Sequence, residues 1–145
     1  MTDRTSGEWQ ISPALTPSEL LAAAHLFDGE VTGAGAADAL ARPGQLFLLA
    51  YSRAGRPVGF VSAVEMRHPD REPEMFVNEL GVDEPWQRRG IARALLAALA
   101  AAARERGCAA LWTATEPDNE AALATYRSAG ARAEETAVMV EIDLR

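Results

Sequence analysis

Two hydrophobic periods divide the chain. Over the first half, apolar residues recur mainly in strand-like runs. Trp9-Gln10-Ile11 alternates and predicts the start of a sheet. Thr16-Pro17-Ser18-Glu19 is a helix start, with Thr16 as N-cap, Pro17 at the first position and Glu19 closing a capping box. That helix is expected to reach about Phe27. Asp28 to Gly35 is rich in turn residues, a short helix follows to about Ala41, and Pro43-Gly44 ends it. Leu46 to Tyr51 reads as a buried strand, Arg53-Ala54-Gly55-Arg56 as a turn, and Val58 to Arg67 as the returning strand. After a loop at Pro69–Pro73, Met75 to Val82 carries so few charges that burial on both faces is expected. Glu79 is the exception inside that run.

Past Asp83-Glu84-Pro85 the period changes. Ile91, Leu95, Leu99 and Ala103 recur every four residues and form one helical stripe, which Gly107 terminates. Ala110 to Ala114 predicts another strand. Strand, helix and strand at this length make a βαβ unit, so the two strands should be parallel. A last helix is expected from Asn119 to Ala129, ending at Gly130, and the alternation from Val138 to Leu144 predicts a strand that closes the sheet. The expected fold is a single α/β domain over 1–145: a mixed, mostly antiparallel sheet with helices on both faces.

Composition narrows the function. Alanine makes up about a fifth of the 145 residues, which favours helix without adding large core side chains. The net charge is −7, from 14 Lys plus Arg against 21 Asp plus Glu, which argues against a nucleic-acid binder and suits a cationic small partner or simple solubility. Cys108 is the lone cysteine, so neither an internal disulfide nor a multi-cysteine metal site is expected. His25 and His68 lack metal-ligand spacing, and no metal is expected. Met1 to Ser6 holds no apolar leader and no stretch is long enough to span a membrane, which gives a cytoplasmic protein as the expectation.

The chemistry concentrates in Leu80-Gly81-Val82-Asp83-Glu84-Pro85-Trp86-Gln87-Arg88-Arg89-Gly90-Ile91-Ala92. A strand ends, a short loop follows, and the long helix begins at once. The unpaired N–H groups and partial positive charge of a helix N-terminus bind anions. Gly90 lets a ligand approach the backbone, and Arg88, Arg89 and Arg93 add positive charge in an otherwise acidic chain. An arginine-rich first turn kept only for structure would oppose the helix dipole. A phosphate site is the better reading.

Gln87-Arg88-Arg89-Gly90-Ile91-Ala92 resembles the pyrophosphate loop, Q/R-x-x-G-x-G/A, of the GCN5-related N-acetyltransferases (GNAT), which bind acetyl-coenzyme A. Asn119, Ala122, Tyr126 and Gly130 resemble the family's N-x-x-A-x-x-x-Y-x-x-x-G helix. Val77 to Val82, Leu26 to Glu30 and the ending Glu141-Ile142-Asp143 look like the aminoglycoside 3-N-acetyltransferase branch, with Asn78 standing where that branch has an aromatic residue. The resemblance implies one N-acetyltransferase domain and a split between the Met75–Val82 and Ala110–Ala114 strands. Pantetheine would lie in that split, paired to Leu80, Gly81 and Val82. The pyrophosphate would rest on N–H groups between Arg88 and Arg93, with Gln87 in the loop. Tyr126 would be the general acid for the coenzyme A thiolate, and Asn119 a helix cap that also reaches the cofactor. A homodimer is implied as well.

A carboxylate on an apolar strand has a raised pKa, which makes Glu79 the candidate general base; holding a cationic amine electrostatically, or standing as an ion-paired or water-facing glutamate beside a bulge in the strand, are its other readings. Asp28, Glu30 and Glu116 lie in loops that would rim the acceptor side, or else are solvated surface. Cys108 lies past the far end of the helix that starts after Gly90, on the order of 25 Å away, so direct transfer in a ternary complex is expected instead of an acyl-cysteine. The incomplete glycine pattern Gly33-Ala34-Gly35 is rejected as a dinucleotide fingerprint. The expected acceptor is a primary amine on a polycationic small molecule, aminoglycosides first. Polyamines, amino-acid derivatives, a protein N-terminus and a non-catalytic acyl-coenzyme A sensor are the alternatives.

Overall fold

The computed structural model describes residues 7–134 and 136–145. The reading of Met1 to Ser6 lies outside them. The chain divides into two compact units, Met1–Thr113 and Ala114–Arg145.

The first unit holds a five-stranded sheet in the order β1-β2-β3-β4-β5. Its strands are β1 (Trp9–Pro13), β2 (Gln45–Ser52), β3 (Pro57–Met66), β4 (Glu74–Val82) and β5 (Leu111–Trp112). The first four pair antiparallel; β4 and β5 pair parallel, as the βαβ spacing predicts. The helices are α1 (Pro17–Ala22), α2 (Gly33–Ala41) and α3 (Ile91–Glu105). Thr16 caps α1 as expected: its Oγ1 accepts from the Glu19 N–H at 3.3 Å, while Glu19 Oε1 accepts from Thr16 Oγ1 and from the Leu15 N–H. The helix is shorter than the sequence suggests. It stops at Ala22, and Ala24–Leu26 forms a separate 3-10 turn.

Helices cover both faces. On one, the Ile91, Leu95 and Leu99 stripe of α3 is buried against the sheet. The approach is close at Gly59, where a Cβ would meet Ile91 Cγ2 at 3.0 Å and the Gly81 carbonyl at 3.3 Å. On the other face, Leu20, Ala23 and Ala36 pack with Leu49 and Phe60, flanked by Leu26, Phe27 and Tyr51.

Three strand expectations are corrected. β3, not β4, is buried along most of its length, because it is the central strand and lies under helices on both sides. In β4 only Met75 and Val77 are buried, and Asn78 and Glu79 are exposed. The strand at Ala110–Ala114 shrinks to Leu111–Trp112, because its pairing with β4 stops there. The closing strand at Val138–Leu144 does not form: the side chains of Val138 and Leu144 are 82% and 91% exposed, and none of the described ladders includes the segment. Alternation makes a segment competent for a strand, but a strand forms only where a partner completes its hydrogen bonds. The second unit has one helix, α4 (Glu120–Ser128), among its described residues.

Candidate active site

Glu79 reaches its position through a bulge. Ala63 pairs with Val77 and Ser62 with Glu79, so Asn78 is an extra residue on β4. Without it, Glu79 would continue the Met75–Val77 series and point into the core beneath α3. One inserted residue shifts the alternation and turns Glu79 to the opposite face, where Phe60 pairs with Gly81. Here a cavity of about 260 Å³ is lined by Leu26, Asp28, Phe60, Glu79, Leu80 and Gly81. Gly81 is required: a Cβ there would sit 2.9 Å from Phe60 Cε1. Partial desolvation at the cavity raises the Glu79 carboxyl above its ordinary pKa, and the negative charge of Asp28 adds to the rise. Two carboxylates thus border one small cavity.

Beside this cavity β4 loses its neighbour. Met75 pairs with Leu111 and Phe76 with Trp112, and the ladder ends there. Thr113 Oγ1 then donates to the Val77 carbonyl at 2.9 Å, closing the fork with a side chain. From Asn78 to Val82, β4 is hydrogen-bonded only to β3 among the described strands. An unpaired strand edge accepts an extended chain of amides by strand addition. Leu80, Gly81 and Val82 lie along this open edge.

The open edge leads into the arginine-rich loop. Gln87 Nε2 donates to the Val82 carbonyl at 3.0 Å and ties the loop back to the strand. The Arg89 guanidinium lies 4.7 Å from the Trp86 ring centroid and 3.9 Å from Glu8 Oε2. Arg88 and Gly90 both have left-handed backbone, at φ 64° and 88°. A non-glycine residue held there is strained, and such residues concentrate at functional loops. The Gly90 carbonyl accepts from Ala94 and opens α3. The first-turn N–H groups at Ile91, Ala92 and Arg93 then lack intrahelical acceptors, the usual anion-binding arrangement. The Ile91 side chain is core, so only its backbone is available to a ligand. Arg88 and Arg93 are exposed and form no ion pair among the described residues. The loop thus fits a pyrophosphate.

In the second unit, Asn119 Oδ1 caps α4 by accepting from the Ala122 N–H at 3.1 Å. Tyr126 is half-buried on that helix, which ends with Gly130 at φ 98° and an Ala131 N–H to Tyr126 carbonyl bond of 3.0 Å. Glu116 is exposed there; in the first unit, Glu30 is exposed and does not line the Glu79 cavity. Of the acidic residues named from the sequence, the structure gathers Asp28 and Glu79.

Three features escape sequence reasoning. Thr113 ends a strand and carries no motif. Ser62 lies in an apolar strand run and faces Glu79 only because of the bulge. Asp83 joins two elements: it lies 3.7 Å from His25 Nε2 and 3.6 Å from an Arg56 guanidinium nitrogen, while His25 Nε2 also lies 3.0 Å from the Pro57 carbonyl oxygen. All three depend on register or on long-range contact.

Comparison with known proteins follows the same lines. The Acetyltransferase (GNAT) family model matches residues 10–131. The [ribosomal protein bS18]-alanine N-acetyltransferase of Escherichia coli K12 is 43% identical over 57 residues, which cover 39% of this chain and 38% of that protein's length. An aminoglycoside acetyltransferase, meta-AAC0020, from an uncultured soil metagenomic sample and solved with sisomicin, has a TM-score of 0.88 at 19% identity, covering 98% of this chain and all of its own. The aminoglycoside 6′-N-acetyltransferase AAC(6′)-Ih of Acinetobacter baumannii has a TM-score of 0.78 at 19% identity, covering 94% of this chain and 99% of its own. AAC(6′)-Iy with coenzyme A has 0.78 at 20%, covering 92% and 98%. Two of these names specify the 6′ position, whereas the sequence resembles the 3-N branch; at such identities the likeness establishes the fold. With the family model spanning most of the chain, this protein belongs to the acetyltransferase (GNAT) family.

Proposed function

We propose that this protein transfers an acetyl group from acetyl-coenzyme A to a primary amine of a polycationic small molecule, by direct attack in a ternary complex, with both units acting as one acetyltransferase domain. The observation that carries this reading is the Asp28–Glu79 cavity beside the open edge of β4, which leads into the anion-binding start of α3. The edge and the loop suit pantetheine and pyrophosphate; the cavity suits a cationic amine.

In this reading the acceptor arrives as an ammonium ion and Asp28 and Glu79 attract it. Glu79 removes a proton, and its raised pKa makes it a stronger base than an ordinary glutamate. The free amine attacks the thioester carbonyl, whose developing oxyanion is stabilised by a β4 backbone N–H at Leu80 or Val82. The C–S bond breaks, and Tyr126 protonates the departing thiolate. Tyr126 rests on its motif helix and on the family. Asp28 and Glu79 are the acceptor-side carboxylates; Glu30 fits a peripheral contact with a larger polycation, and Glu116 rests on the sequence reading alone. The acidic chain and the fold shared with aminoglycoside acetyltransferases favour an aminoglycoside. A protein N-terminus is the second reading, favoured by the 43% identity to the bS18-alanine enzyme. A cytoplasmic homodimer is the expected form.

The test is Glu79→Gln, with acetyl-coenzyme A affinity measured by calorimetry and turnover by the appearance of free thiol. The expected outcome is unchanged affinity and a turnover loss of about 10²-fold or more. Unchanged turnover across pH contradicts the base.

A further inference from the structure

Ser62 is the one buried polar residue among those described, at 2% exposure, and its Oγ has no hydrogen-bond partner among them. Buried hydroxyls are almost always bonded, and an orphan calls for a physical reason. Its surroundings supply one. On β3, Ser62 lies between Phe47 of β2 and Glu79 of β4. Phe60 and Val64 precede and follow it on the same face. Among these ladder neighbours Glu79 alone can accept a hydrogen bond. Directly paired residues hold their Cβ atoms about 4.5–5.5 Å apart, within reach of a glutamate that turns about its own side-chain bonds. The pairing exists only because Asn78 is skipped.

We propose that Ser62 is a positioning residue for Glu79: its hydroxyl donates to the carboxylate when Glu79 turns inward from the cavity, and so fixes the carboxylate at the bulge. This deepens the acetyl-transfer reading and rests on it for its catalytic meaning, though the contact itself does not. The carboxylate then alternates between two orientations, one facing the acceptor cavity with Asp28 and one held by Ser62. The charged group acting on Glu79 is Asp28; the ladder neighbours Phe47, Phe60, Val64 and Gly81 carry no charge. A donor to the ionised form favours that form. Loss of the hydroxyl should therefore make the carboxyl harder to ionise.

The experiment is a carbon-13 NMR titration of the Glu79 side-chain carboxyl in the full-length free protein, with the resonance assigned by its loss in Glu79→Gln. Ser62→Ala is expected to move the midpoint upward by about half a pH unit or more, with Ser62→Cys, a weaker donor of similar size, falling between. Thermal stability should be unchanged or slightly higher in Ser62→Ala, which controls for folding. A midpoint that stays in place in Ser62→Ala overturns the proposal, as does a downward shift. The titration needs no acceptor, so it separates from the base assignment: Glu79→Gln can abolish turnover while Ser62→Ala leaves the midpoint unmoved, and the reverse result is equally readable.

Discussion

In the proposed mechanism a single carboxylate carries most of the chemistry, and its environment sets its behaviour. Glu79 sits on a half-buried strand beside a second acid, and both burial and Asp28 raise its pKa. The base must be ionised to work. Activity is therefore expected to rise with pH through a midpoint above the ordinary glutamate range. Asp28→Asn removes the repulsive neighbour and should lower that midpoint in the pH profile of kcat/KM; it should also raise the acceptor KM, because one of two anionic contacts is gone. An acid limb that does not move in Asp28→Asn contradicts the electrostatic coupling. Tyr126→Phe should cut kcat by about 10-fold or more while acetyl-coenzyme A affinity stays within a factor of two or so, read by stopped-assay turnover and by calorimetry. Cys108 has no part in the proposed mechanism: it follows α3, and its thiol is pushed up in pKa, chiefly by burial.

At the scale of elements, local signals were legible in the sequence and register was not. The Thr16 capping box, the α3 stripe and the glycine stop at Gly107 depend on residues within one or two turns of each other. The parallel β4–β5 pair followed from spacing alone. The bulge at Asn78 did not, because pairing is decided by two strands at once. That one residue explains why an acidic side chain inside an apolar run faces a cavity instead of the core. The segment at Val138–Leu144 had the alternation of a strand, yet pattern alone does not supply the neighbour a ladder needs. In the arginine-rich loop, the structure divides the labour among residues the sequence singles out: Gln87 fastens the loop to β4, Arg89 stacks on Trp86, and Ile91 anchors α3 in the core. Gly90→Asp should abolish acetyl-coenzyme A binding, since it forces an aspartate into left-handed backbone and places negative charge at the helix start. Affinity retained in that variant contradicts the loop assignment. Leu95→Ala, fully buried on α3, should cost about 2–5 kcal/mol of stability in denaturant unfolding; a loss below about 1 kcal/mol would mean that the helix is not anchored there.

At the scale of the molecule, charge is divided by task. The chain carries −7 in total, yet the start of α3 gathers three arginines. In the proposed function the acidic surface draws in a cationic acceptor, and the local basic cluster receives an anionic cofactor. Attraction of this kind weakens as ionic strength rises. Raising salt from about 10 mM to about 200 mM should therefore raise the KM of a polycationic acceptor several-fold and leave that of a monoamine nearly unchanged. No described helix is long and apolar enough to cross a membrane.

The central claim is acetyl transfer to a polycationic amine, and the most direct measurement is coenzyme A release from acetyl-coenzyme A over a panel of aminoglycosides, polyamines, amino acids and short peptides, followed as free thiol. The account predicts acceptor-dependent release that is fastest with an aminoglycoside and lost in Glu79→Gln, with an N-acetylated product by mass spectrometry. Turnover confined to peptides with a free N-terminus would contradict the small-molecule acceptor and leave the transfer chemistry in place. No release with any amine, from a protein that binds acetyl-coenzyme A, would contradict catalysis itself.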